Sequence, residues 1–420
     1  MSRLFYFLLF SGYLAYACIP DSRSQFGLLF TIYAFVFLIY LFNPGKNLIQ
    51  KKEGWIFFLA CSIPLFFKVP LLSDDVYRFI WDGRLSISGI NPFLYLPSEL
   101  GSYPDLFPKL NSPQYYSVYP PFKQYIFAIS AFLAGGSEEL NIFWLRLFIM
   151  LSMLSGLYFF RKILSLLKKD EIDLYWLAFN PLILIESLGN LHFEVVVLSL
   201  LLSSYFVFLK SKSISWSAVL FGLAVSVKLI PLILLPLILR KLGLKKGLVF
   251  SLFVLIVNII LFIPFYSPQF FVNFGDSLDL YFHSFEFNAG LYYLLREIGF
   301  ALTGFNTIQY LGTALALIDL FLIILISSQA KSFLEAVVLI LSIHLLMSTT
   351  VHPWYIIPLM GLSFLTHLKY PLAWSGLIFL SYEAYHIEMV KENLWLTAFS
   401  YLLLFVFIFF DSRQKRIGTF

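Results

Sequence analysis

Long apolar stretches follow one another along the 420-residue chain, separated by short segments that carry charge, proline or glycine. Such stretches are typical of helices that cross or enter a bilayer, whose hydrocarbon core is ~30 Å thick. The pattern predicts an all-α polytopic fold with about 12–14 membrane segments and interfacial helices on the outer face. The predicted segments cover residues 4–18, 25–43, 54–70, 140–160, 172–189, 193–209, 214–239, 247–265, 307–328, 333–350, 354–366, 371–385 and 393–410.

The composition excludes an ordinary soluble domain, because 60% of the residues are hydrophobic and only 13% are charged. No polar stretch is long enough to fold separately, so we expect residues 1–420 to form a single membrane-embedded catalytic unit. The apolar run before Cys18 resembles a cleaved signal, but a first membrane span is the commoner interpretation in a polytopic protein. The two cysteines, Cys18 and Cys61, indicate neither a disulfide framework nor a thiolate metal site.

Basic residues concentrate in alternate loops, and the positive-inside rule places those loops in the cytoplasm. The rule puts 19 of the 29 Lys and Arg residues inside and predicts that the N- and C-termini are cytoplasmic. The net charge of +5 therefore reflects orientation in the membrane and does not indicate a nucleic-acid partner. The cytoplasmic basic residues are Arg3, Lys46, Lys51, Lys52, Arg161, Lys162, Lys168, Lys169, Lys210, Lys212, Arg240, Lys241, Lys245, Lys246, Lys331, Lys369, Arg413, Lys415 and Arg416.

This topology also indicates whether two ambiguous apolar segments cross the membrane. Residues 119–134 form an interfacial helix, because a further span there would move the next basic loop outside, and the outer loop then covers residues 71–139. Residues 214–239 are apolar but have basic residues at both ends, so the chain should enter the membrane and return. We expect the break near Lys228 to Pro231, with Lys228 inside the protein and facing the outer side.

Asp74 and Asp75 are the strongest candidates for catalytic chemistry. They follow an apolar stretch directly, and the same segment contains Arg78, Asp82 and Arg84. Burial beside a membrane and the proximity of a second acid both raise the pKa of a carboxyl group toward the range of a general base. The alternative is a solvated loop that carries ordinary charge pairs.

A second polar cluster lies at the predicted turn between two spans. It contains Glu186, Ser187, Asn190, His192 and Glu194. These groups suit sugar hydroxyls, a proton path or a metal, although the carboxylates and one histidine are too few to identify a metal site. A plain polar turn is the alternative.

Lys228 is the sharpest single signal, because a charge within an apolar segment costs about 3 kcal/mol unless it meets a partner or water. Snorkelling to the interface is one interpretation, and an anionic ligand is the other. His352 opens a later segment on the same side, and Arg296 follows in another outer loop. We expect these groups to converge with the two acidic clusters on one face of the membrane.

Eight segments carry a resemblance to a known family. At these segments the chain resembles the GT-C class of integral membrane glycosyltransferases, and specifically the bacterial relatives of polyprenol-phosphate-mannose-dependent mannosyltransferases (glycosyltransferase family 87-like). The first segment, Ser-Asp-Asp-Val-Tyr-Arg-Phe-Ile-Trp-Asp-Gly-Arg, is the most specific. The segments are residues 73–84, 89–93, 118–121, 180–186, 189–192, 227–231, 285–288 and 351–355.

The resemblance implies transfer of a hexose, mannose in that family, from a polyprenyl-phosphate donor to a lipid or glycan hydroxyl on the extracytoplasmic face of the cell membrane. The reaction would invert the anomeric centre with an Asp base, Asp74 or Asp75, and the family favours the first acid. No cofactor or metal is implied, and the oligomeric state stays open. Implied donor-phosphate ligands are Lys228, Arg296, His352 and Arg78, and implied substrate contacts are Asp82, Arg84, Asn91, Tyr119, Glu186, Asn190, His192, Glu194, Asn288, Trp354 and Tyr355.

One departure and two alternatives accompany this interpretation. Residues 189–194 read Gly-Asn-Leu-His-Phe-Glu, where relatives commonly have Gly-Asn-Gly-His-Asn-Asp, so the roles of His192 and Glu194 stay open. A transporter or lipid flippase would also explain the break at Lys228 and the intramembrane Asp319. A structural or assembly subunit would tolerate replacement of the carboxylates.

Overall fold

A computed structural model describes residues 2–20, 23–42, 52–386 and 390–417, and it confirms the all-α prediction. The basic residues Lys46 and Lys51, used above for orientation, lie outside the described residues, as do the side chains of Lys415 and Arg416. In the described part, the single strand-like contact is a parallel bridge between Phe287 and Thr350.

The described residues form twenty α-helices. The first ten are α1 Ser2–Ala17, α2 Phe26–Leu41, α3 Lys52–Phe66, α4 Asp75–Ile87, α5 Pro97–Leu100, α6 Pro121–Ala134, α7 Glu138–Leu166, α8 Ile172–Ala178, α9 Pro181–Leu184 and α10 Glu194–Ser211. The second ten are α11 Ile214–Val227, α12 Leu235–Leu242, α13 Leu244–Phe262, α14 Pro268–His283, α15 Gly290–Thr303, α16 Ile308–Gln329, α17 Phe333–Met347, α18 Ile357–Ser363, α19 Tyr370–Leu377 and α20 Leu394–Ile417. Short 3₁₀ turns occupy Phe107–Lys109, Ile230–Leu234, Ile263–Phe265, Pro353–Ile356 and Ile378–Tyr385, and a π-helical turn occupies Ile185–Gly189.

Five of the described helices are long and apolar enough to cross a bilayer: α7, α10, α13, α16 and α20. A sixth span is formed if α8 and the following segment, bent by 43°, count as one. Shorter apolar helices, α2, α11 and α17, pack among them. The chain is therefore a multi-pass membrane protein.

Buried tyrosines join the N-terminal helices to the rest of the core. Tyr13 of α1 donates a hydrogen bond to the carbonyl oxygen of Phe179 at 3.0 Å. Tyr33 of α2 donates to the carbonyl oxygen of Ser375 at 2.6 Å. Because the ring fills apolar space while its hydroxyl finds an acceptor, tyrosine can be buried here without an unpaired polar atom. The first helix is thus an integral part of the packed fold.

The predicted break at Lys228 is confirmed. Helix α11 ends at Val227, and Lys228 takes an extended conformation with φ −156° and ψ 136°. A 3₁₀ turn that contains Pro231 follows before α12 begins. Since proline provides no N–H for a helical bond, α11 and α12 do not form one continuous helix.

The outer loop of residues 71–139 is built on two packed helices, α4 and α6. Helix α6 has 14 residues, about 21 Å at 1.5 Å per residue, which is too short to cross the bilayer core. Phe79 of α4 stacks on Phe127 of α6 with ring centres 4.7 Å apart. Gly83 is where the helices approach most closely, since a Cβ atom there would overlap the backbone oxygen of Phe127.

We expect Gly83→Ala to destabilise the outer loop, because the added methyl meets backbone that cannot rotate away. Overpacking of this kind costs roughly 1–3 kcal/mol. The midpoint of thermal unfolding of detergent-solubilised protein would measure the change. Gly27→Ala is the matched control, since a Cβ atom there meets nothing within 4 Å. Equal unfolding midpoints for the two variants would contradict the predicted close approach.

Candidate functional site

The two adjacent acids at the start of α4 have different surroundings. Asp74 forms a two-pronged ion pair with Arg23, with nitrogen–oxygen distances of 2.7 and 3.0 Å. Asp75 accepts one hydrogen bond from the Asn111 side-chain amide at 2.9 Å. Among the described residues no cation lies within ion-pair distance of Asp75. Of the pair, Asp75 is therefore the carboxylate that remains available.

Asp75 also has the electrostatics of a base. Burial raises its pKa above the ordinary value, and the nearby Glu194 carboxylate adds to that rise. The hydrogen bond from Asn111 and the charges of Lys123 and Lys228 act in the opposite direction. A carboxylate with a raised pKa accepts a proton more readily than a solvated one.

Lys123 of α6 lies buried beside this acid. Its Nζ is 4.1 Å from the ring centre of Tyr119 and 4.3 Å from that of Phe79. The rings of Phe193 and Phe127 complete the cage at 4.8 and 5.6 Å. Burial lowers the pKa of Lys123 to about 8, although Glu194 and Asp75 oppose this shift.

Lys228 reaches the same region from the break after α11. Its Nζ pairs with Glu194 at 2.5 Å and lies 3.5 Å from the ring centre of Tyr355. Lys228, Glu194 and Tyr355 all line a small, partly open groove. The remaining walls are mostly apolar and come from α10, the turn after Lys228, α17 and α18: Val197, Leu201, Ile230, Pro231, Leu341, His344, Leu345, Pro358 and Leu359.

A stack of four aromatic rings lies behind these charges. The His192 and Trp354 rings are 3.5 Å apart, and Trp354 continues onto His352 at 4.5 Å. Phe287 covers the other face of His352 at 4.8 Å. Burial lowers the pKa of His352 to about 3, so this ring is neutral at physiological pH. The stack joins the turn before α10 to the segment between α17 and α18.

Glu186 anchors the first ring of that stack. It is fully buried in a π-helical turn, a feature frequent at functional sites. Its carboxylate accepts from the Tyr382 hydroxyl at 2.7 Å and the Asn190 amide at 3.2 Å, and His192 Nε2 lies 3.6 Å away. The Glu186 carboxylate is therefore hydrogen-bonded, whereas Asn190 Oδ1 and His192 Nε2 are buried with no hydrogen-bond partner among the described residues.

Leu191 explains how the turn departs from the predicted motif. It has φ +61°, a left-handed conformation that glycine adopts easily and leucine rarely does. The side chain is fully buried. The turn thus keeps a glycine-type backbone at the position where relatives were expected to have glycine, and His192 stays directed at Trp354.

Comparison with known proteins adds the family. A family model described as alpha-(1->6)-mannopyranosyltransferase, N-terminal domain (MptA_B family), matches residues 18–242. The chain belongs to this mannosyltransferase family. It is a membrane glycosyltransferase that acts with mannose. No curated protein matches it significantly.

The family match covers one part of the site. Within residues 18–242 lie Asp75, Lys123, Glu194 and Lys228. The ring stack and the groove of this mannosyltransferase are completed by residues from α17, α18 and their connection, outside the matched range. The two portions meet where Lys228 lies over Tyr355.

Several predicted site residues instead hold the outer loop together. Arg78 pairs with Asp82 at 2.7 Å and donates to the carbonyl oxygens of Ser112 and Tyr115. Asp82 also accepts from Ser117 at 2.5 Å. Both Arg78 and Asp82 are buried, so their contacts favour a structural role over the predicted phosphate and substrate roles.

Arg84 and Asn91 have comparable positions in the mannosyltransferase. Arg84 contacts Asp105 at 3.2 Å, and the Asn91 amide donates to the carbonyl oxygen of Phe265 at 2.8 Å. Tyr119 differs, because its ring belongs to the cage around Lys123. Of the three, only Tyr119 contacts the charges of the candidate site.

Arg296 and Asn288 lie in a separate polar cluster. Arg296 pairs with Glu286 at 3.0 Å and Glu297 at 2.9 Å. The backbone N–H of Asn288 donates to Glu392 at 2.6 Å. The expected convergence therefore holds for the two acidic segments, Lys228 and His352, whereas Arg296 has its own acidic partners.

Asp319, the charge that favoured a transporter, is paired within the bundle. The His344 ring of α17 contacts it at 2.8 Å. A buried acid with an adjacent histidine has a partner inside the protein, so its presence does not require a transport path.

Three important residues escaped the sequence reasoning: Arg23, Asn111 and Lys123. Lys123 had a detectable signal, because it stands alone in the apolar helix that follows Pro120 and Pro121. Arg23 and Asn111 lie in polar loops and gave none. Their partners become visible only when the loops fold over α4.

We expect Asp82→Ala to destabilise the mannosyltransferase, because it removes the carboxylate that the buried Arg78 requires. Breaking one partner of a buried ion pair costs about 3–5 kcal/mol. Thermal unfolding in detergent measures this loss. Asp105→Ala, which removes the exposed partner of Arg84, should change stability far less. A stable Asp82→Ala protein with a raised KM would instead indicate substrate contact.

Proposed function

We propose that the protein transfers mannose from a polyprenyl-phosphate donor to a hydroxyl of a lipid or glycan on the extracytoplasmic face, with inversion and with Asp75 as general base. The observation that carries this proposal is that Asp75 lies near Lys228, which lines an apolar groove. The family description makes an α(1→6) linkage the first product to seek.

The assignment of the base rests on the contrast between the two acids. The Arg23 guanidinium occupies both oxygens of Asp74, so that carboxylate is a poor proton acceptor. Asp75 has an unoccupied oxygen, a raised pKa and lysines nearby. These contacts support the second acid, although the family resemblance favoured the first.

Lys228 is the proposed ligand for the donor phosphate. It lies at the polar end of the groove, and its side chain is 27% exposed. An isoprenoid tail fits such an apolar surface, while the ammonium stabilises the charge that develops on the leaving phosphate. The neutral His352 and Arg296, which pairs with Glu286 and Glu297, are less suited to that role.

The proposed reaction is a single displacement at the anomeric carbon, in which one bond forms as another breaks. The acceptor oxygen attacks the anomeric carbon of mannose as its proton passes to Asp75. The bond between that carbon and the phosphate oxygen breaks, and the negative charge moves from the carboxylate to the phosphate. A hydroxyl needs such a base because it is a poor nucleophile while protonated.

The face of the membrane follows from the basic loops. Asp411 accepts hydrogen bonds from the backbone N–H groups of Lys369 and Tyr370 at 2.6 and 2.7 Å, which gathers the ends of α19 and α20 among the basic residues. By the positive-inside rule that end is cytoplasmic. The segments that carry Asp75 and Lys228 are predicted at the other end.

We expect Asp75→Asn to lower transfer about 10²–10⁴-fold, because the amide cannot accept the hydroxyl proton. The assay measures radiolabelled mannose moved from synthetic polyprenyl-phosphate-mannose to a membrane lipid extract by purified protein. Asp74→Asn should lose less, and Asp276→Asn, which changes an exposed acid of α14, should lose nothing. Full activity in folded Asp75→Asn protein would eliminate this base.

The same assay with a chelator tests metal independence. Among the described residues no group of three or more His, Cys, Asp or Glu side chains is arranged to hold a metal ion. We expect unchanged transfer, whereas loss that is restored by a divalent cation would show that a metal participates.

We expect Lys228→Met to reduce kcat/KM for the donor roughly 10–100-fold, since the phosphate loses a charged contact. Lys109→Met is a close control, because Lys109 also pairs with a glutamate, Glu138, at 2.7 Å and lies over a tyrosine ring, Tyr77, but faces no groove. Equal effects of the two substitutions would remove Lys228 from the phosphate site.

A further inference from the structure

Lys123 is a buried cation without a direct anionic partner. Its side chain is only 8% exposed, and four rings surround the ammonium. Within the described part of the chain no carboxylate approaches its Nζ to 4 Å, and no hydrogen bond joins it to another residue. Each contact with a ring face recovers about 0.5–2 kcal/mol, but the direct ion pair that usually accompanies a buried charge is missing among the described residues, so burial of this charge needs a further explanation.

The charges around it suggest what the ammonium acts on. Of the charged groups, Glu194 and Asp75 contribute most to keeping Lys123 protonated. In return, Lys123 is the strongest of the charges that favour ionisation of Asp75. The titratable groups near Asp75 are Lys123 from α6, Glu194 from α10, Lys228 from the break after α11, Tyr119 before α6, Tyr385 from the 3₁₀ turn before α20, and the neighbouring pair of Asp74 and Arg23.

We propose that Lys123 is a positioning residue for mannosyl transfer: its ammonium, held by four aromatic rings, keeps the Asp75 carboxylate ionised without occupying its oxygens. This inference rests on the proposed function, because it requires Asp75 to be the base.

Asp74 shows why it matters that Lys123 does not bind the Asp75 carboxylate directly. Arg23 is bound directly to both oxygens of Asp74, which leaves that carboxylate no free position for a substrate proton. Lys123 is placed differently: Phe79 lies one helical turn after Asp75 on the same face of α4, and Lys123 Nζ is 4.3 Å from the centre of the Phe79 ring, so its charge lies beside this face without an ion pair to Asp75 among the described residues. Asp75 thus gains the electrostatic support of a cation and keeps an oxygen for the acceptor hydroxyl.

The test is the pH dependence of kcat/KM for Lys123→Met in the radiolabelled transfer assay. Methionine has a similar length and packs well against aromatic rings, so the cage should remain filled. Loss of the positive charge raises the pKa of Asp75. The acidic limb of the profile should therefore move upward by about one pH unit, with about tenfold less activity on that limb. The thermal unfolding midpoint should not fall.

If folded Lys123→Met protein keeps the wild-type acidic limb of the pH profile, the inference is overturned. A lower unfolding midpoint together with a wild-type pH profile would also overturn it, because that result indicates a purely structural lysine. Lys123→Arg is the second variant. It retains the positive charge, so the acidic limb of its pH profile should stay at the wild-type position. A shift as large as that of Lys123→Met would contradict the proposal. Lys109→Met should leave the limb unmoved.

Asp75→Asn separates this inference from the function on which it rests. If Asp75→Asn is inactive and Lys123→Met keeps the wild-type limb, only the role of Lys123 fails. If Asp75→Asn is fully active, the proposed base fails, and the role of Lys123 fails with it.

Discussion

Charges buried in this apolar fold are held by carbonyl oxygens, opposite charges or aromatic rings, and these contacts organise the end of the molecule that carries α4. Arg146 of α7 binds the carbonyl oxygens of Phe66 and Lys68, while the Lys68 ammonium binds that of Ile19 at 2.9 Å. These contacts satisfy carbonyl groups at or just beyond the ends of α1 and α3. Asp82 compensates Arg78 within the outer loop. The segment that carries Asp74 and Asp75 is thereby joined to the membrane helices through buried charged side chains.

The packing of α4 on α6 converts this framework into a site. Close approach at Gly83 brings Phe79 and Phe127 together, and these rings also enclose Lys123. The helix contact thus sets the distance between the buried ammonium and Asp75. A site placed on rigid helices holds its charges more exactly than one placed on loops alone.

The second half of the site comes from the C-terminal portion of the chain. The ring stack extends from His192 through Trp354 to Phe287, and Tyr355 lies beneath Lys228. Stacked rings resist rotation because each face is already covered. Leu191 maintains the turn that aims His192 at this stack, despite its left-handed backbone. The family match in the first portion and the groove in the second thus belong to one arrangement around Lys228.

The sequence by itself determined the all-α class, the membrane segments, the helix break at Lys228 and the family, because apolar runs, prolines and short motifs are local properties of the chain. It also indicated that the acids of residues 74–75 and 186–194 belong to one end of the molecule. It could not decide which of Asp74 and Asp75 is the better candidate for the base. Their difference depends on Arg23, about 50 residues away, and on Asn111, 36 residues away. Nor could it separate Lys228 at a groove from Arg296 in an acidic cluster. Only the tertiary structure decided these roles, because the ionisation and availability of a side chain depend on which distant groups lie within a few ångströms of it.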